Sequence, residues 1–297
     1  MIRQGFAAMF RSARPLLVLA LLGATALAHA DSVPYAPTAC AAPGGDVAFA
    51  AGFEDCYTAD ASGGAGGDTT MGDHVDLVTG SDGLPRELVY RVPPGLDPAT
   101  AAPLLVALHG AAANVPLAAT TLRNNWAPYA DASGAILVTP HGTGSGGGWR
   151  GTDAVTIANA VARIEARYNV DRRRRFLWGY SAGAHFGHAV VLDDPTPWAA
   201  YGVSAGALTQ YACGVPGAPA CTPWLANAAA ANRLPVSITI GTGDPLYPQT
   251  SLDPSRYGAA GWPAPDLRYV EFAGGHTYLL AHLRDTWTFL SGYAQAR

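Results

Sequence analysis

The sequence contains no lysine; all 18 of its basic residues are arginine. That absence excludes a phosphate-binding P-loop lysine, a Schiff-base lysine and a Ser–Lys dyad. Charge of either sign is scarce. Only 13% of the 297 residues are charged, against roughly 25% in an average soluble domain. The formal net charge of −4 argues against a basic nucleic-acid binder, and the hydrophobic fraction of 49% argues against disorder. Cysteine is sparse as well. Cys40, Cys56, Cys213 and Cys221 show no CxxC or Cys/His spacing of a zinc site, so no metal is expected. No repeat of 20–50 residues is visible.

One apolar run stands out, Pro15 to Ala28. It falls short of the ~20 residues that a spanning helix needs, so no stable membrane anchor is expected. Arg3, Arg11 and Arg14 precede it and Ala28-His29-Ala30 closes it, the pattern of a secretory signal over residues 1–30. A mature chain beginning at Asp31, secreted or periplasmic, would lose three arginines and carry a charge of −7. Cysteines in an oxidising compartment are expected to pair. Of the three possible pairings, the local bonds Cys40–Cys56 and Cys213–Cys221 are the ones expected.

Residues 31–73 lack periodicity and read as an irregular segment held by a disulfide; 74–297 read as one domain. Residues 74–79 and 86–92 alternate like two strands around Asp82-Gly83. Short apolar strands follow at Leu104–Leu108, Ala135–Thr139, Arg175–Gly179, Tyr201–Ser204, Val236–Ile240 and Leu267–Phe272. Helical spacing covers Asp153–Tyr168, Ala182–Leu192 and Thr277–Gly292. Strands alternating with helices predict an α/β fold with a mainly parallel central sheet covered on both faces.

Gly179-Tyr180-Ser181-Ala182-Gly183 matches G-x-S-x-G, between a strand and a helix of small residues. That context makes the motif meaningful, because the glycines permit a sharp turn that exposes the serine hydroxyl above the sheet. A serine hydroxyl needs a base to become a nucleophile, and the base needs an orienting acid. Asp244 follows strand Val236–Ile240, and His276 follows strand Leu267–Phe272. Both therefore stand at strand C-terminal ends, where open α/β sheets bind ligands. His282, Asp253 and Asp266 are weaker candidates, since none directly follows a buried strand. The Ala182 N–H at the helix start is one expected oxyanion donor. The other is assigned to Ala111, after His109-Gly110, with Gly110 as its rival.

PLLVALHG at 103–110, YNVDRRRRFLWGYSAG at 168–183, ITIGTGD at 238–244 and GGH at 274–276 together resemble the polyhydroxybutyrate depolymerase and feruloyl esterase branch of the α/β-hydrolases. The resemblance covers roughly residues 84–295. It implies an α/β-hydrolase fold and a secreted serine esterase without metal or cofactor. Ser181 would be the nucleophile, Asp244 the acid and His276 the base. The substrate it implies is an ester, a short-chain polyhydroxyalkanoate or its oligomers, or else an aryl or acetyl ester on plant polysaccharide. Two departures bear on specificity: Ala111 stands where the family often has Gly or Cys, and Tyr278 where it often has Trp. Only 21 residues follow His276, too few for the further binding domain of many polymer depolymerases.

Trp149, Tyr180 and Tyr278 are the candidate substrate contacts. Gly142–Gly147 formally matches a dinucleotide fingerprint, but no helix follows directly and no acid lies about 20 residues on; a loop beside the site is expected instead. His109, His185 and His188 read as structural histidines, Arg172–Arg175 as a solvated turn, and the loop from Cys213 to Cys221 as either a rim of the cleft or a surface staple.

Overall fold

The computed structural model describes residues 32–35, 57–64, 70–208 and 233–296. The expected signal segment and all four cysteines lie outside the described residues.

Ten strands are described. They are β1 (Ser32–Pro34), β2 (Gly72–Thr79), β3 (Pro85–Val92), β4 (Ala102–Leu108), β5 (Ile136–Pro140), β6 (Val170–Tyr180), β7 (Ala200–Ser204), β8 (Val236–Gly241), β9 (Leu267–Phe272) and β10 (Tyr293–Gln295). Eight form one sheet in the order β2-β3-β5-β4-β6-β7-β8-β9. The pairs β2–β3 and β3–β5 are antiparallel; every pairing from β5 to β9 is parallel. The helices are α1 (Val115–Ser133), α2 (Ala154–Arg167), α3 (Ala182–Asp193), α4 (Tyr247–Thr250), α5 (Asp253–Ala259) and α6 (Leu280–Leu290).

The central strands bury both faces, as parallel strands between helical layers must. Along β4, Leu104, Val106 and Leu108 pack with Ile157, Val161, Ile164 and Phe186 of α2 and α3. Leu105 and Ala107 point the other way, to Leu122 and Trp126 of α1 and Leu283 and Trp287 of α6. The sheet is thus gripped from both sides, and its strand ends have little freedom to move.

Helix α1 has no counterpart in the sequence expectations. Pro128 inside it argues against a helix there, whereas Pro116 stands in the first turn, where proline is tolerated; alanine and threonine dilute its apolar stripe. Its ends do carry signal. The Asn114 side chain accepts from the Leu117 N–H at 3.0 Å, and Gly134 closes the helix at φ +68°.

The arginine run is not a solvated turn. It lies within β6, where Arg172 and Arg175 bond Glu165 at 3.1 and 3.0 Å and Arg174 bonds the fully buried Asp171 at 2.9 Å. Arg173 stacks over Tyr57, and Arg174 over Tyr35, each 4.6 Å from the ring centroid. Tyr57 OH, the Asp60 N–H and the Arg173 N–H also donate to Asp171. Tyr35, Tyr57 and Asp60 are therefore docked at the start of β6. Residues 31–73 are not wholly irregular: β1 pairs antiparallel with β10, and β2 begins at Gly72 rather than 74. No helix among the described residues is long and apolar enough to cross a membrane.

Asp171 collects a charged partner and three further donors in a buried place, so removing it strands all of them. Asp171→Ala is expected to lower stability by about 3 kcal/mol in urea unfolding and to speed amide exchange in residues 57–64.

Candidate active site

Ser181 sits between β6 and α3 with φ +52° and ψ −116°, a conformation that L residues other than glycine rarely adopt. Its neighbours show why the turn is this tight. A Cβ on Gly179 would lie 2.2 Å from the Gly183 carbonyl oxygen, and a Cβ on Gly183 would lie 2.4 Å from the Leu108 carbonyl oxygen. Only glycine fits at either place. The end of β7 completes the turn, with the Ser181 N–H donating to the Ser204 carbonyl at 2.9 Å.

The structure brings the three expected residues together in one chain of hydrogen bonds. Ser181 Oγ is 2.7 Å from His276 Nε2, and His276 Nδ1 is 2.9 Å from Asp244 Oδ2. Asp244 is only 3% exposed, and its Oδ1 accepts from the Leu246 N–H at 2.8 Å. The His276 side chain is 38% exposed and faces the open side. Two backbone bonds hold the acid-bearing and base-bearing loops in register: Thr242 N–H to Phe272 O and Gly243 N–H to Gly274 O, both 2.8 Å. A Cβ at Gly241 would come within 2.4 Å of the Gly274 carbonyl, so that approach also requires glycine.

The loop after β4 meets the serine turn from the other side. A Cβ on Gly110 would lie 3.2 Å from Ser181 Cβ. A Cβ on Gly148 would touch the Ala182 and Ala111 methyls at 3.8 and 3.9 Å, so both residues border Gly148. Among the described residues, no acceptor takes the Ala111 or the Ala182 backbone N–H.

Trp149 requires a correction. It was expected among the substrate contacts, but it is 5% exposed, and its ring lies between those of His109 and Phe186 at 4.9 and 5.3 Å. Its indole N–H donates to the His109 carbonyl at 2.8 Å. It supports the loop after β4 from within. Tyr180 and Tyr278 are half-buried and packed edge to face. The Tyr180 hydroxyl donates to the His276 carbonyl at 2.9 Å, and Asn125 Nδ2 donates to the Tyr278 hydroxyl at 2.8 Å. Both tyrosines brace the base-bearing loop, and burial raises both phenol pKa values.

The rival residues stand elsewhere. Asp253 is buried on α5, bound to the Leu208 N–H and to Arg256 at 3.0 and 2.6 Å; burial pushes its carboxyl up to about 6. His282 packs its ring on Phe272 at 4.9 Å. His185 receives the Ala207 N–H at 2.9 Å, and His188 meets the Tyr257 hydroxyl at 3.0 Å; burial lowers both pKa values, as suits neutral core histidines. Among the described residues, no group of three or more side chains could hold a metal ion.

Asp153, which the motif reading did not single out, organises the glycine-rich loop. Fully buried, it accepts from the Thr143 and Arg150 N–H groups at 2.9 Å and from the Thr143 and Ser81 hydroxyls at 2.6 Å. These hydrogen bonds outweigh burial and hold its pKa below the usual carboxylate value. Beside this loop a polar cleft of about 570 Å³ runs past Ala112, Ala113 and His141.

The parallel sheet, its strand order and the serine turn at the end of β6 decide the fold. It is that of the α/β-hydrolases. No family model matches the sequence, and no curated protein matches it. Solved structures do match. A thermostable esterase superposes with a TM-score of 0.60 at 15% identity, covering 75% of this chain; this chain spans 63% of that protein. The feruloyl esterase module of Clostridium thermocellum, a mutant complexed with sinapinate, gives 0.61 at 16% identity, covering 80% of this chain and 92% of that one. The LpqC poly(3-hydroxybutyrate) depolymerase from Bordetella parapertussis gives 0.51 at 20% identity, covering 74% and 90%.

In this fold, the clash at Gly183 sets an expectation. Gly183→Ala must push the backbone at Leu108 and His109 aside, at a cost of about 1–3 kcal/mol. Thermal unfolding measures that cost.

Proposed function

We propose that the protein is a serine esterase and that Ser181, His276 and Asp244 are its catalytic triad. The observation that carries this reading is the unbroken hydrogen-bond chain from Ser181 Oγ through His276 to Asp244, with bonds of 2.7 and 2.9 Å. His276 Nε2 takes the hydroxyl proton as Ser181 Oγ attacks the ester carbonyl. The Ala111 and Ala182 N–H groups receive the oxyanion. Buried Asp244 keeps the His276 proton on Nδ1 and stabilises the imidazolium. The alcohol leaves with the proton from Nε2. Water then attacks the acyl-enzyme with His276 again as base, releasing the acid.

The substrate we favour is a short-chain polyhydroxyalkanoate polyester or its oligomers, met outside the cytoplasm after removal of residues 1–30. The sequence blocks quoted above and the likeness to the Bordetella depolymerase support it. The second reading is an esterase acting on feruloyl or acetyl groups of plant polysaccharide, which the likeness to the Clostridium module supports. The scaffold is shared with a dipeptidyl peptidase, so the bond cleaved has to be tested as well.

The deciding assay is release of soluble 3-hydroxybutyrate from amorphous polyhydroxybutyrate by the protein beginning at Asp31, with Ser181→Ala as blank. Release is expected, and Ser181→Ala should reduce it by about 10⁴-fold or more. Release of ferulate or acetate without 3-hydroxybutyrate would transfer the assignment to the second reading. Equal turnover in Ser181→Ala would overturn the triad.

A further inference from the structure

We infer that His109 is a positioning residue that aims the Ala111 N–H at the oxyanion, by holding the carbonyl of the same peptide unit on the opposite side. This rests on the serine-esterase reading and extends it to a residue outside the triad.

The argument begins with the proton on the ring. The Gly142 N–H donates to His109 Nε2 at 3.1 Å, so Nε2 carries no proton. His109 is 2% exposed, and burial lowers its pKa, which keeps the ring neutral. Its one proton therefore sits on Nδ1, and Nδ1 lies 2.8 Å from the Gly110 carbonyl oxygen. That bond fixes the direction of the Gly110 carbonyl.

A carbonyl and the N–H that follows it belong to one planar unit. In a trans peptide they point in opposite directions. No cis peptide occurs among the described residues. Drawing the Gly110 carbonyl toward the ring therefore turns the Ala111 N–H away from the ring. The segment itself runs beside the serine turn: a Cβ added at Gly110 would lie 3.2 Å from Ser181 Cβ, and one added at Gly148 would meet the Ala111 and Ala182 methyls at 3.9 and 3.8 Å. Loss of the Nδ1 bond frees the Gly110 carbonyl, and the permissive backbone of glycine then lets the peptide tilt its N–H out of line.

The ring is itself held from every direction. Trp149 covers one face and clamps the His109 carbonyl through its indole N–H. Gly142 belongs to the glycine-rich loop, which Asp153 secures through Thr143. That loop returns to the same segment, where the Ala112 N–H donates to the Gly147 carbonyl at 3.3 Å. The buried network around Asp153 and Trp149 thus ends on one backbone donor.

The test compares two replacements of His109. Asparagine can place an amide N–H near the Nδ1 position, whereas leucine cannot. Wild type, Ser181→Ala, His109→Leu and His109→Asn are assayed on p-nitrophenyl butyrate, with active sites counted by fluorophosphonate titration and folding followed by thermal unfolding. His109→Leu is expected to lower kcat per titrated site roughly 10- to 100-fold, less than the ~100- to 1,000-fold cost of deleting an oxyanion donor. KM should stay within about twofold, since the donor acts on charge that develops after binding. His109→Asn should recover most of that loss. Should His109→Leu fail to fold, His109→Gln replaces it, because its longer side chain offers the donor at the Nε2 position. A kcat unchanged in the leucine or glutamine variant, with activity still dependent on Ser181, would overturn the inference alone. Equal losses in all His109 variants that track the folded fraction would also overturn it, reducing His109 to packing. Activity that survives Ser181→Ala would remove the esterase reading and this inference with it.

Discussion

Close backbone approach at the serine turn is the constraint on which the site depends. Ser181 is held at φ +52° between two glycines, one against its own helix and one against the carbonyl of Leu108. The strand end, the helix start and the neighbouring strand touch without side chains between them. A turn that costs free energy to hold persists because β4, β7 and the Phe176–Gly179 stretch of β6 are buried and cannot relax around it. The same closeness brings the start of α3 and the loop after β4 side by side.

Asp244 and His276 reach the serine turn by a different device. Asp244 and His276 stand on adjacent parallel strands, and two hydrogen bonds between their loops set the spacing. The histidine is then braced from behind by Tyr180 and Tyr278, which tie it to the serine turn and, through Asn125, to α1. Tyrosines expected to meet substrate thus serve in part to hold the base. The Asp244 carboxylate is buried and the His276 ring partly exposed, so their hydrogen bond runs from the interior to the surface.

Tyr35 and residues 57–60 pack at the end of β6 opposite to Ser181. Tyr35, Tyr57 and Asp60 gather around the arginines at the start of β6, while Ser181 follows the last residue of that strand. Eleven residues of extended chain separate the two ends by ~35 Å. The arginine run is a docking surface for the protein's own chain, with each guanidinium paired to a carboxylate, a carbonyl or an aromatic face.

The alternation of strands and helices, the G-x-S-x-G turn and the placement of Asp244 and His276 at strand ends were legible in the sequence, because each is local. Period-2 and period-3.6 patterns, glycines at a sharp turn and polar residues closing an apolar strand are properties of short segments. Helix α1 escaped because Pro128 and small residues blurred its pattern, although Asn114 and Gly134 marked its ends. What only the tertiary structure decided depends on residues far apart in the chain. Arg172–Arg175 became half-buried because Tyr35, Tyr57 and Glu165 came to meet them. Trp149 became a support because Phe186 and His109 closed on both its faces. Asp153 and His109 acquired their parts from hydrogen bonds that join separate loops. Sequence determined that Ser181, Asp244 and His276 stand at strand ends; tertiary structure decided which residues hold the loops around them, because those contacts lie in no single segment.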